Sequence, residues 1–109
     1  MPLTQISLRK GKSLDYRSQL MEEIYLAMRE AIGIPENDRF ATITELEDGN
    51  FNHSGDYLGI SRSNDIVFIQ ITLNKGRTTD KKKALYAKIA ERLTTCLLYT
   101  SDAATILLV

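Results

Sequence analysis

Gln5-Ile6-Ser7-Leu8-Arg9-Lys10-Gly11-Lys12-Ser13 returns 65 residues later as Gln70-Ile71-Thr72-Leu73-Asn74-Lys75-Gly76-Arg77-Thr78. Five of the nine positions are identical, and three more are conservative exchanges, Ser for Thr twice and Lys for Arg once. A repeat has to be read before any fold, because each copy is one supersecondary unit. The correspondence runs on at the same offset. Asp15 meets Asp80, Leu20 meets Leu85, Met21 meets Tyr86, Ile24 meets Ile89 and Met28 meets Leu93. Each half therefore reads as strand, glycine-containing turn, capped helix and returning strand.

Outward from the first copy, residues 3–8 form a short strand of mixed apolar and polar positions. Ser13 is placed to cap a helix, with Asp15 in its first turn. Leu14, Arg17, Leu20, Met21, Ile24, Met28, Ala31 and Ile32 then recur at spacings of three and four, one stripe of an amphipathic helix that stops at Gly33. Residues 39–46 alternate as a second strand, and Asp48-Gly49-Asn50 is a turn. A short strand is expected around Tyr57-Leu58-Gly59-Ile60. Ile66 to Leu73 is almost continuously apolar, which predicts a strand buried on both faces. Thr78 or Thr79 then caps a helix running to about Leu93.

The fold expected is α+β, with duplicated β-α-β units forming a four-stranded sheet and two helices on one face. A parallel pair joined by a helix requires a right-handed crossover. The second sheet face has no helix to cover it, which predicts an oligomer.

The chain of 109 residues has the size of one domain, with no net charge and a single cysteine, Cys96. Zero net charge without a basic face speaks against nucleic acid and anionic membranes as partners. No apolar run reaches the roughly 20 residues of a membrane span. The first residues lack a signal-peptide pattern, so a cytoplasmic protein is expected. Domain organisation is expected as 1–95 plus an atypical tail at 96–109. Cys96-Leu-Leu-Tyr-Thr-Ser has the residues encoded by TGT CTC TTA TAC ACA TCT, a transposase mosaic-end sequencing adapter, which points to read-through. An ordinary loop followed by a strand at Thr105 to Val109 is the other reading.

Pro2 follows the initiator methionine. Methionine aminopeptidase removes Met1 before a small residue, leaving a free secondary amine that can act as base or nucleophile. Burial or nearby cations lower the pKa of such an amine. Pro at this position is also common for no catalytic reason. Lys75-Gly76-Arg77 stands at a strand-to-helix turn, where Arg suits bidentate carboxylate binding and Lys a point-charge contact. By themselves the same residues read first as a solvated turn ahead of the basic Lys81-Lys82-Lys83 helix start. Asp38 reads as the cap of the turn after Pro35. His53, Tyr57 and Arg62 lie in a polar stretch, and no metal-ligand cluster, phosphate-binding loop or Ser-His-Asp arrangement is present.

Taken together, Met1-Pro2, the duplicated halves, Gly33-Ile34-Pro35-x-x-Asp38-Arg39-Phe40, Tyr57-Leu58-Gly59-Ile60-x-Arg62-Ser63-x-Asp65 and Gln70-Ile71-Thr72-Leu73-Asn74-x-Gly76-Arg77-Thr78 resemble the tautomerase superfamily. The likeness is strongest to its branch near malonate semialdehyde decarboxylase and covers residues 2 to about 93. It implies a tautomerase or MIF-like fold, a homotrimer, no cofactor and an amino-terminal proline as acid/base or electrostatic catalyst. By position Pro2 is that proline, and Asp38 matches an aspartate associated with water activation or decarboxylation. Arg77 matches the second of two carboxylate-binding arginines, and Lys75 stands where the first would be. The Lys-for-Arg change keeps the charge and loses the fork. The family also continues past its second helix with a strand and an aromatic-containing segment, which this chain lacks. At the repeat offset Pro2 falls on Val67, which has no free amine, so one site per chain is expected. The function this implies is keto-enol proton transfer on a small 2-oxo acid or enol carboxylate. A malonate-semialdehyde-type decarboxylase or hydratase and a non-catalytic oligomeric binding protein are the alternatives.

Overall fold

The structure, a computed structural model, describes residues 2–56, 65–73 and 78–97, and the backbone of 104–108. The first strand, β1 (Leu3–Arg9), turns Thr4, Ile6 and Leu8 inward, as the two-residue period of a strand requires. Helix α1 (Leu14–Ile32) begins where Ser13 Oγ accepts the Tyr16 N–H at 3.1 Å. It ends where Gly33, at φ 66° and ψ 37°, donates its N–H to the Arg29 carbonyl. That left-handed cap strains any residue with a Cβ. Leu20, Ile24, Ala27, Met28 and Ile32 form its buried stripe, whereas Leu14, which the spacing places in that stripe, is 65% exposed.

Strand β2 (Ala41–Leu46) starts two residues later than the alternation predicts. The delay has a local cause: Asn37 adopts φ 66° and its carbonyl accepts the Arg39 N–H at 2.9 Å, so a turn occupies those residues. A short 3-10 turn, Asp48–Asn50, follows. Strand β3 (Val67–Thr72) leads to helix α2 (Thr79–Leu97), whose start Thr78 caps through a Lys81 N–H bond to its Oγ1. Helix α2 runs on to Leu97 rather than ending at Leu93, because Thr94 to Leu97 add a further turn, so the expected boundary at Thr95 falls inside it. The final strand is β4 (Ala104–Leu108). The expected strand near Tyr57 lies outside the described residues.

The strands form a small mixed sheet in the order β2-β1-β3-β4. β1 pairs parallel with β2 and antiparallel with β3, and β4 pairs parallel with β3. Ile6 lies opposite Ile69 and Leu8 opposite Val67, so the inward residues of β1 and β3 make one apolar surface. Both helices cover it, with Leu85, Ile89 and Leu93 of α2 almost fully buried beside the α1 stripe. Burial in β3 is one-sided: Val67, Ile69 and Ile71 are enclosed, Phe68 is half-buried and Gln70 is exposed. Its apolar run reflects helix packing on one face and an aromatic stack on the other. Phe51 lies 4.7 Å from Phe68 at an interplanar angle of 11°, and the Arg9 guanidinium sits 4.4 Å from the Phe51 ring centroid.

Polar groups tie the helices together above this core. Arg92 Nε donates to Glu23 Oε1 at 2.8 Å and its Nη1 to Glu30 Oε1 at 2.5 Å. Gln19 also donates to Glu23, whose side chain is almost wholly buried. Near the start of α1, Lys12 pairs with Asp65 at 2.8 Å and lies over the Tyr16 ring. Burial, reinforced by the Asp65 charge, pushes the Tyr16 phenol up to about 12. The folded value is therefore raised above the unfolded value of about 10. The resulting stability is fully present below about 10 and is lost as pH rises through about 12. Denaturation midpoints of the wild type are expected to fall across that window more steeply than those of Tyr16→Phe. Parallel pH profiles would show that Tyr16 carries no such linkage.

Candidate active site

Pro2 is buried immediately before β1. The sheet register determines what lies around it. Thr4 pairs with Ala41, and its N–H donates to the Phe40 carbonyl at 2.9 Å, so the residues entering β2 lie beside the start of β1. On the other side Leu3 pairs with Thr72, the last residue of β3. The chain therefore leaves β3 next to Pro2. Parallel pairing on one side and antiparallel on the other bring Pro2, the Asp38 turn and the exit of β3 to one end of the sheet. Lys75 and Arg77, which follow that exit, lie outside the described residues.

Asp38 sits in the turn between α1 and β2 and is half-buried, with its Oδ1 shielded from solvent. Its N–H donates to the Pro35 carbonyl at 3.2 Å. Tyr25 braces this turn from α1: its Oη accepts the Asn37 N–H at 3.1 Å, and Arg39 lies over its ring at 3.8 Å. Arg39 also donates to Glu22, and this hydrogen bond to the carboxylate raises the guanidinium pKa further. Tyr25, Asn37 and Arg39 thus brace the turn in which Asp38 sits. Sequence reasoning passed over Tyr25. Its signal was a tyrosine one helical turn from both Met21 and Met28, since a buried phenol needs a partner for its hydroxyl.

Tyr57 and Arg62 lie outside the described residues, and the other candidates lie away from Pro2. His53 Nδ1 is 3.3 Å from the Arg9 guanidinium, beyond the C-terminal end of β1, and Cys96 is in the last turn of α2. Among the described residues, no three His, Cys, Asp or Glu side chains gather as metal ligands would. No helix among them is long and apolar enough to cross a membrane.

Two family models, both described as tautomerase enzyme, match the chain, one over residues 2–60 and the other over 38–107. The chain belongs to the tautomerase superfamily. Among its relatives in Bacillus subtilis (strain 168), Probable tautomerase YusQ is 40% identical over 93 residues, covering 85% of this chain and 73% of the relative. Probable tautomerase YrdN is 28% identical over 93 residues, covering 85% and 71%. Among solved structures, FG41 malonate semialdehyde decarboxylase inhibited by 3-bromopropiolate superposes with a TM-score of 0.91 at 26% identity, covering 98% of this chain and 81% of the other. The F6 fused 4-OT asymmetric trimer shares the fold at a TM-score of 0.81 and 22% identity, covering 98% and 84%.

Proposed function

We propose that this chain is a tautomerase in which Pro2, released as an amino-terminal residue, moves a proton between the oxygen and carbon of a small 2-oxo acid or enol carboxylate. The observation that carries this reading is the burial of Pro2 at the sheet end where the Asp38 turn and the exit of β3 converge. An amine held there is desolvated, which disfavours its protonated form and leaves a lone pair for catalysis. Lys75 and Arg77 are assigned to the substrate carboxylate and to the enolate charge that develops during transfer. Arg77→Ala is expected to lower kcat/KM by about ten- to a hundredfold, the effect of losing charge-assisted hydrogen bonds. Steady-state rates within twofold of the wild type would remove Arg77 from the site.

The protein is assigned as a cytoplasmic homotrimer of duplicated β-α-β units that needs no cofactor. The sheet face away from the helices, where no helix of the described residues packs and Phe68 lies half-buried, is assigned to the contact between protomers. Residues 96–109 are assigned as adapter read-through. An uninterrupted native frame through Cys96 in genomic DNA would contradict that.

Asp38 favours a second reading, malonate-semialdehyde-type decarboxylation or hydration, because its half-buried carboxylate lies at the Pro2 end and could handle water. Following phenylenolpyruvate, 2-hydroxymuconate and malonate semialdehyde in parallel separates the readings. Ketonisation of either enol supports the tautomerase. Turnover of malonate semialdehyde alone supports the second reading, and an assembled protein inert towards all three would overturn both.

A further inference from the structure

Between α1 and the first residues of β2 lies a cavity of about 270 Å³ to which the tautomerase reading assigns no role. Its floor includes Thr4, which is 1% exposed and whose Oγ1 has no hydrogen-bond partner. The other inward positions of β1 are Ile6 and Leu8, so an aliphatic residue would suit packing alone. A buried hydroxyl left unsatisfied costs about 1–3 kcal/mol, and a ligand atom placed against it would remove that cost.

The rest of the cavity matches that polar point with an apolar grip and a cation. Met21 and Met28 line it from α1, and Phe40, 45% exposed, stands at its edge. Methionine adapts its shape to a ring and makes favourable sulfur–aromatic contacts. Arg39 completes the wall, held over Tyr25 and by Glu22 through Nη1, so its remaining donors are pre-oriented. The volume exceeds the roughly 150 Å³ that accepts benzene and falls below the roughly 300 Å³ at which pockets take drug-sized ligands. One ring with a small substituent fits that interval.

We propose that this cavity binds a small monocyclic aromatic carboxylate. The ring lies among Met21, Met28 and Phe40, the carboxylate meets Arg39, and a hydroxyl on the ring bonds Thr4 Oγ1. The inference goes beyond the tautomerase reading, and its test measures binding rather than turnover.

The probe is 4-hydroxybenzoate, titrated into methyl-labelled protein and followed by NMR at the methionine methyls. Saturable shifts of Met21 and Met28 are expected. Thr4→Val, which deletes the hydroxyl at nearly constant shape, is expected to weaken binding by about tenfold. Arg39→Ala, at a half-exposed position, should weaken it by about as much while leaving binding of phenol nearly unchanged. The proposal fails if no saturable shift occurs, or if both variants bind 4-hydroxybenzoate as the wild type does. It also fails if Met21 and Met28 show contacts to a second copy that exclude the probe.

Discussion

Replacing Pro2 with alanine is expected to lower kcat/KM for enol ketonisation by about a hundredfold, the cost of misplacing a catalytic group that is still present. Alanine still permits removal of Met1 and still presents an amine, so the loss does not come from deleting the base. It comes from deleting the ring. The pyrrolidine ring bonds the nitrogen back to its own side chain and fills the buried position before β1, which fixes the direction of the amine lone pair. Alanine leaves the amine free to rotate, and misplacement by about an ångström costs on the order of a hundredfold. The loss should fall mainly on kcat, because the carboxylate contacts assigned to Lys75 and Arg77 are untouched. Wild-type kinetics in Pro2→Ala would show that the ring is not needed to aim the amine, while leaving the fold and family unaffected.

The second large effect concerns stability. Arg92→Ala is expected to destabilise the fold by about 3 kcal/mol, the lower end for breaking a buried pair, because Arg92 itself is partly exposed. Its partner Glu23 is buried between the helices, and Gln19 alone cannot replace a cation. For a chain of this size that corresponds to a drop in Tm of about 15 °C, measured at fixed protein concentration. Replacing Glu23 and Arg92 together with leucine should recover most of the loss, since the uncompensated charge is then gone. A double variant as unstable as Arg92→Ala would show that packing, rather than the stranded carboxylate, sets the cost.

The two helices and the edges of β1 and β3 were legible because their signals are local. Ser13 and Gly33 mark the ends of α1, and the spacing of Leu20, Ile24 and Met28 marks its inward face. The start of β2 was misplaced because Asp38 and Arg39 alternate acceptably with Phe40, while the left-handed Asn37 that delays the strand leaves no period behind. The apolar run of β3 was legible, but the burial on both faces that it predicts is absent from the chain, where only Val67, Ile69 and Ile71 are enclosed. Phe68 owes its cover to Phe51, which is 17 residues earlier in the chain. The Glu23–Arg92 pair is separated by 69 residues, and no short-range pattern encodes it. For the site, Pro2 and Asp38 could be named from the sequence, but their shared end of the sheet follows only from the register with β2 and β3. Thr4 had no reason to stand out until its hydroxyl proved to be buried and unbonded.

Intact-mass analysis of the purified, ketonising protein tests the central assignment most directly, because only a terminal proline has an ionisable nitrogen. The mass expected is that of a chain beginning at Pro2. Full ketonisation activity in protein that retains Met1 would contradict catalysis by the proline amine.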